Sequence, residues 1–225
     1  MNKYFKLIMS LLSKNEKKGF EIDNKRNLLS KLKISDKIGF DHSYNEIFEE
    51  KVYDIKFNSE APLILDCGSN IGLSIIYFKT HYPKAIIYGF EPDLRVFELL
   101  KENLSVFNFS DVSVYNSAVW SSEGFIEFNP EGSLAGSVVS RNRPDFESYK
   151  VKAISLRPYL EDSKIDFLKL DIEGAEYEVL NNISDLLFNV ENLFVEYHSV
   201  YGKEQQLANI LQIIKNAGFR YFIKN

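Results

Sequence analysis

Residues 63–78 read LILDCGSNIGLSIIYF. An apolar strand-like run reaches Asp66, the chain turns through Gly68 and Gly72, and an apolar helix-like run follows, stopped by Pro83. Strand, glycine turn and helix in that order open a βαβ unit. The alternation continues outward. AIIYGFEP (85–92) reads as a strand, DLRVFELLKENLSVF (93–107) as a helix with Asp93 as its N-cap, and DVSVYNSAVW (111–120) as a third strand with its exit. IDFLKLDIEGAEYEVLNN (165–182) reads as a strand into a helix, NLFVEYH (192–198) as a strand, KEQQLANILQIIKNAG (203–218) as a helix closed by Gly218, and FRYFIKN (219–225) as a strand. Such alternation predicts an α/β fold whose doubly wound, mainly parallel sheet is built of right-handed crossovers.

Two regions break the rhythm. Residues 121–160 read as one strand, a long Gly/Ser/Pro loop and another strand, and a loop of that length in a compact domain is expected beside the active site. Residues 1–60 read as helical, with NKRNLLSKLKI (24–34) and SYNEIFEEKVYDI (43–55) spacing apolar residues by three and four. The expected organisation is an N-terminal helical appendage over 1–60, lid or substrate-side wall, and a ligand-binding domain over 61–225.

The 225 residues suit one α/β core with that appendage. A net charge of −5, with lysines spread along the chain, lacks the basic footprint of a nucleic-acid binder. Cys67 is the single cysteine, which excludes an internal disulfide and a multi-cysteine zinc site. The start, MNKYFKLIMSLLSKNEKKGF, has a short apolar stretch without a cleavage site, and no run approaches the ~18 apolar residues of a membrane span. A cytoplasmic protein is the expectation.

In open parallel sheets ligands sit beyond the carboxyl ends of the strands, where the strand order reverses, and the turn DCGSNIG (66–72) lies there. A nicotinamide site wants G-x-G-x-x-G, but Asn70 and Leu73 stand at its second and third glycines; a G-x-x-x-x-G-K-[ST] phosphate loop is absent from the chain. A zwitterionic ligand fits better. The Asp66 carboxylate can face an ammonium while Gly68 and Gly72 admit backbone close by, as the aminoacyl end of S-adenosylmethionine requires. Glu91, at the end of the next strand, is placed to accept hydrogen bonds from ribose hydroxyls.

Together, ILDCGSNIGLSIIYF, YGFEPD, IDFLKLDIEGAEYEVL and FVEYH resemble the FkbM family of S-adenosylmethionine-dependent methyltransferases, in order over about residues 44–220, with KLDIEGAE the most specific block. The resemblance implies a Rossmann-like class I methyltransferase fold, with Asp66, Gly68, Asn70 and Gly72 on the methionine part of the cofactor and Glu91 on its ribose. Ser69 and Pro92 join that cofactor set as their neighbours, and Ser117, Ala118, Val119 and Trp120 would border the adenine. It also implies a sugar, glycan or glycosylated natural product as acceptor. Two departures are visible: such folds usually end in an antiparallel hairpin, which FRYFIKN only begins, and LRPYL stands where relatives tend to carry acidic residues.

Methyl transfer to an alcohol needs the oxygen held about 3 Å from the methyl carbon and a base to take its proton. Asp171 and Glu173 end one strand, and Glu196 and His198 end another, so titratable groups from distant segments converge. Asp171, which also counts in the cofactor set, Glu173 and His198 are the catalytic candidates, with His198 the expected base. Glu173 and Glu176 could instead complement a helix dipole, and Asp171, Glu196 and His198 could hold a divalent metal, although the preferred site carries none. Ser133, Ser137, Ser140, Arg141 and Arg143 in the 129–145 loop offer hydroxyls and cations to a polar acceptor. A nicotinamide-dependent oxidoreductase and a non-catalytic protein keeping the cofactor fold are the alternatives.

Overall fold

The computed structural model describes residues 25–129, 147–199 and 202–224. Two helices precede the sheet, α1 (Lys25–Lys31) and α2 (Lys37–Tyr44), and α2 runs on into a π-helical turn, Asn45–Glu49. Asp36 caps α2 by accepting from the N–H groups of Ile38 and Gly39. There follow β1 (Leu63–Cys67), α3 (Leu73–His81), β2 (Ile86–Phe90), α4 (Leu94–Ser105), β3 (Val112–Tyr115), β4 (Ala118–Val119), β5 (Gly124–Phe128) and β6 (Tyr149–Ile154). The chain continues through α5 (Arg157–Asp162), β7 (Ile165–Leu170), α6 (Glu176–Asn182), β8 (Val190–Val195) and α7 (Leu207–Asn216).

The main sheet is parallel throughout, in the order β3-β2-β1-β7-β8. The order reverses between β1 and β7, which places the switch point at the turn beginning with Asp66. Register keeps the strand ends level, with Asp66 beside Gly89 on one side and Lys169 on the other.

Side chains alternate across this sheet with period two. Ile64, Ile87 and Phe167 face α3 and a set of N-terminal aromatics, Phe40, Tyr44, Tyr53 and Phe57. Leu65, Cys67, Leu168 and Leu170 face the other way, onto Val179 and Leu180 of α6 and Ile210 and Ile214 of α7. Tyr53 stacks on Phe78 at 5.5 Å and meets Phe194 edge-on at 5.0 Å. Each such ring contributes about 1.5–3 kcal/mol through burial, so residues 28–57 are fastened to the sheet by its own core.

Three readings change. The predicted third strand splits: β3 ends at Tyr115, Asn116 donates its Nδ2 to the carbonyls of Glu91 and Pro92, and β4 joins a second sheet of order β4-β6-β5. Residues 51–55, expected to continue a helix, lack regular structure because Val52, Tyr53, Ile55 and Phe57 are all drawn into the core. Over its described residues 219–224 FRYFIKN forms no strand: Phe219 is buried and Arg220 makes a single bridge, while Tyr221, Phe222 and Ile223 are exposed. LRPYL forms the start of α5, with Pro158 in its first turn where a missing N–H costs nothing. Among the described residues no helix is long and apolar enough to cross a membrane.

Candidate active site

The turn after β1 is held by the protein's own backbone. The N–H groups of Gly68 and Ser69 donate to the carbonyl of Phe90 at 3.0 and 2.9 Å, and Ser69 Oγ donates to the carbonyl of Asp66. Gly68 has φ +82°, and a Cβ there would lie 1.8 Å from the carbonyl oxygen of Asp171. Its bareness is therefore demanded by the exit of β7. A Cβ on Gly72 would fall 2.8 Å from Leu100 of α4. Asp66 is fully buried: Ser74 Oγ donates to Oδ2 at 2.7 Å, and Lys169 Nζ stands 3.4 Å from Oδ1.

A narrow groove runs along the strand ends, lined by Gly68, Asn70, Phe90, Glu91, Pro92, Ala118, Val119, Phe128, Asp171, Ile172 and Glu173. Glu91 is anchored by two backbone donors, Asn70 N–H on Oε2 at 3.0 Å and Asp93 N–H on Oε1 at 2.9 Å. Burial pushes its pKa up to about 8, with those donors pulling the other way. Each of its oxygens retains a lone pair for a further donor. Ser117 is buried and its Oγ has no hydrogen-bond partner, a polar atom placed beside the Ala118–Val119 wall.

A larger cavity of about 380 Å³ adjoins the groove. One wall is α2 and its π-turn, contributing Asp36, Ile38, Gly39, His42, Ser43, Glu46 and Ile47; the other is the strand ends, with Ser69, Lys169, Asp171, Glu173 and Glu196. Gly68, Asn70, Asp171 and Glu173 line both spaces. Two of these four, Asn70 (φ 50°) and Glu173 (φ 54°), hold left-handed backbone without being glycine. Such conformations cost of order 1–3 kcal/mol and concentrate at functional sites. Here they stand where the two spaces meet.

Lys169 organises this junction. It rises from the middle of an apolar strand, is 2% exposed, and donates to the carbonyl of Gly68 at 2.7 Å while sitting 3.1 Å from Asp171 Oδ2. Burial works against the ammonium, yet Asp171, Tyr53 and Asp66 more than offset it and hold its pKa well above the ordinary value. It is a fixed cation.

His198 is not among the cavity-lining residues. Glu176, itself buried, uses Oε1 to accept from the N–H groups of Ile172 and Gly174 and to engage His198 Nδ1 at 3.1 Å. The other ring nitrogen is 3.7 Å from both Glu173 and Glu196, too long for a hydrogen bond. Burial lowers the imidazole pKa, but the Glu176 bond and the charges of Glu173, Glu176 and Asp171 prevail and raise it to about 9. Near neutrality the ring is therefore a cation. Glu196 faces the cavity, and burial together with Asp171 pushes its pKa up to about 7. Asp171, Glu196 and His198, the trio of the metal alternative, each have a ligand atom within 4.8 Å of the others. Lys169 already holds one Asp171 oxygen, and Glu176 the His198 ring.

The structure thus gathers Gly68, Asn70, Glu91, Pro92, Ala118, Asp171 and Glu173 on the groove and Ser69 on the cavity, and leaves Asp66, Gly72 and His198 outside both linings. Trp120, expected against adenine, is not among the groove-lining residues; its N–H donates to the carbonyl of Ile154 while Ala118 and Val119 form the wall. The 129–145 loop falls outside the described residues apart from its first. Sequence reasoning missed Lys169, Ser74, Glu46 and Phe128. Lys169 alone carried a signal, as a lysine inside IDFLKLD.

Comparison with known proteins agrees with this fold. The family model described as Methyltransferase FkbM domain matches residues 66–221. The chain is 30% identical over 204 residues to methyltransferase sdnD of Sordaria araneosa, covering 75% of this chain and 79% of that one. It is 31% identical over 148 residues to the hexuronic acid methyltransferase AglP of Haloferax volcanii, covering 62% and 57%. A crystal structure of methyltransferase FkbM from Methylobacillus flagellatus KT superposes with a TM-score of 0.52 at 18% identity, over 84% of this chain and 51% of that one, so this chain spans about half of it. A Rossmann-like sheet, a turn and acidic strand end in the expected order, and a family match over most of the chain lead to one conclusion: this protein is a methyltransferase and belongs to the FkbM family.

Proposed function

We propose that the protein is an S-adenosylmethionine-dependent O-methyltransferase acting on a hydroxyl of a sugar, glycan or glycosylated natural product. The observation that carries this reading is the meeting of a narrow groove at the strand ends and a cavity of about 380 Å³ at Gly68, Asn70, Asp171 and Glu173. The cofactor, when bound, supplies a methyl carbon made electrophilic by its sulfonium.

The chain's residues do the rest. Glu91, fixed by two N–H donors, accepts from the ribose hydroxyls, and Ser117 Oγ offers an unspent polar atom to the base. Asn70 and the Gly68 backbone border the methionyl part, while Asp66 acts through Lys169 and Ser74 rather than by direct contact. On the acceptor side α2 and its π-turn form the wall, so residues 25–60 serve as the substrate-side element. Glu196 takes the proton of the acceptor hydroxyl, and the His198 imidazolium beside it steadies the carboxylate as a positioning residue. The sugar ring of the acceptor, though not its charge, is supported by what AglP, a relative named as a hexuronic acid methyltransferase, acts on.

Thermal melts with S-adenosylhomocysteine and with NAD test the cofactor. The former is expected to raise the melting temperature and the latter to leave it unchanged; the opposite result overturns the proposal. Transfer of a labelled methyl group to any of a panel of glycans separates an enzyme from a protein that only keeps the fold.

A further inference from the structure

We infer that the acceptor cavity selects by charge: among hydroxyl-bearing acceptors it takes one carrying an ammonium group, an amino sugar being the simplest class, ahead of a neutral sugar, and rejects a uronate. This rests on the methyltransfer reading and adds the class of acceptor to it.

Among the described residues the cavity is lined by five carboxylates, those of Asp36, Glu46, Asp171, Glu173 and Glu196, against one lysine and one histidine. Neither side chain is available to an anion. Lys169 is buried between Asp66 and Asp171 and donates to the Gly68 carbonyl, and His42 pairs with Glu46 at 3.2 Å. His198, the nearest further cation, is engaged by Glu176 outside the lining.

The carboxylates also feel one another across the space. Glu46, on the π-turn, has its pKa raised first by burial, with Glu50 and Asp171 adding to the rise, and Glu196 is raised by burial, Asp171 and Glu46. Two walls from distant segments thus present acid to acid. A uronate would add a further negative charge to a space with no spare donor of positive charge among the described residues, and an ammonium would relieve the repulsion. The apolar part of the lining, Ile38, Ile47, Ile71 and Leu73, suits the C–H face of a sugar ring.

The methyl glycosides of glucosamine, glucose and glucuronic acid, matched in shape and differing in charge, are titrated calorimetrically into the protein saturated with S-adenosylhomocysteine at pH 7. The glucosaminide is expected to bind about tenfold more tightly than the glucuronide, with the glucoside between, and high salt is expected to compress the series. Glu46→Gln is expected to narrow the ratio while leaving S-adenosylhomocysteine affinity in place. Equal affinities, a preference for the glucuronide, no measurable binding of the glucosaminide, or glucuronide binding that appears once Mn²⁺ is added would each overturn the inference. Failure of S-adenosylhomocysteine itself to bind would instead sink the methyltransfer reading beneath it.

Discussion

The groove and the cavity share four residues yet are built in different ways. Much of the groove comes from neighbouring strand ends, the turn after β1, the end of β2 and the start of β4 within residues 66–119, with Phe128 and the exit of β7 completing it, and backbone hydrogen bonds hold Glu91 and the turn together. The cavity joins segments more than a hundred residues apart, with Glu46 on one wall and Asp171 and Glu196 on the other, and ion pairs rather than backbone hold its charged side. The α2 and π-turn wall lines the cavity alone, so it can be changed without touching the groove, whereas Asp171 and Glu173 belong to both. On the proposed reading, the difference separates holding the cofactor from choosing the acceptor.

The largest effect is expected in the cavity. Glu196→Gln should lower kcat by about 10²–10⁴-fold while leaving the calorimetric affinity for S-adenosylhomocysteine unchanged. In the parent protein the rate should rise with pH through about 7, as Glu196 ionises, and the variant should lose that limb. Unchanged turnover would break the division of labour.

Next comes the groove. Glu91→Ala removes an acceptor and leaves the N–H groups of Asn70 and Asp93 unpaired, so cofactor affinity should fall about 10–100-fold. Acceptor discrimination, read as the ratio between two acceptors under saturating cofactor, should stay as it was.

Stability against pH distinguishes the two regions more finely. Glu91 has a folded pKa near 8 against an ordinary 4.5, so the folded state binds the extra proton and its contribution, full below about 4.5, is lost as pH rises to 8. His198 is raised from 6.5 to about 9, so its contribution is full below about 6.5 and lost as pH rises through 9. The melting temperature should therefore fall from pH 5 to pH 9. Glu91→Gln should flatten the lower part of that slope and His198→Asn the upper, each by a few kcal/mol at most. The smallest effect belongs to Trp120→Ala, which should change S-adenosylhomocysteine affinity less than about twofold, because Trp120 is not among the groove-lining residues. A tenfold loss would return it to the adenine.

What the sequence made legible follows the same division. Strand and helix periods, the turn glycines and Glu91 are local signals, and β1 through α4 formed where they were read. The break at Asn116, which sends β4 into a second sheet, depends on side-chain bonds to the Glu91 and Pro92 carbonyls that no periodicity announces. FRYFIKN has strand composition, but pairing needs a neighbour. Glu46 was invisible as a site residue because it matters only once α2 packs against the strand ends. His198 was found by position and expected to be the base from its ordinary pKa; Glu176, Glu173 and Asp171, all in another segment, raise that pKa to about 9.

Gly68 has its missing side chain's space filled by the carbonyl of Asp171, and Lys169 ties both to Asp66. Anyone grafting an altered specificity onto this scaffold would find the glycine turn and the KLDIEGAE block to be one interchangeable part. Exchanged separately between relatives, either half would meet a mismatched mate; moved as a pair, they leave α2 and its π-turn free to be redesigned for a new acceptor.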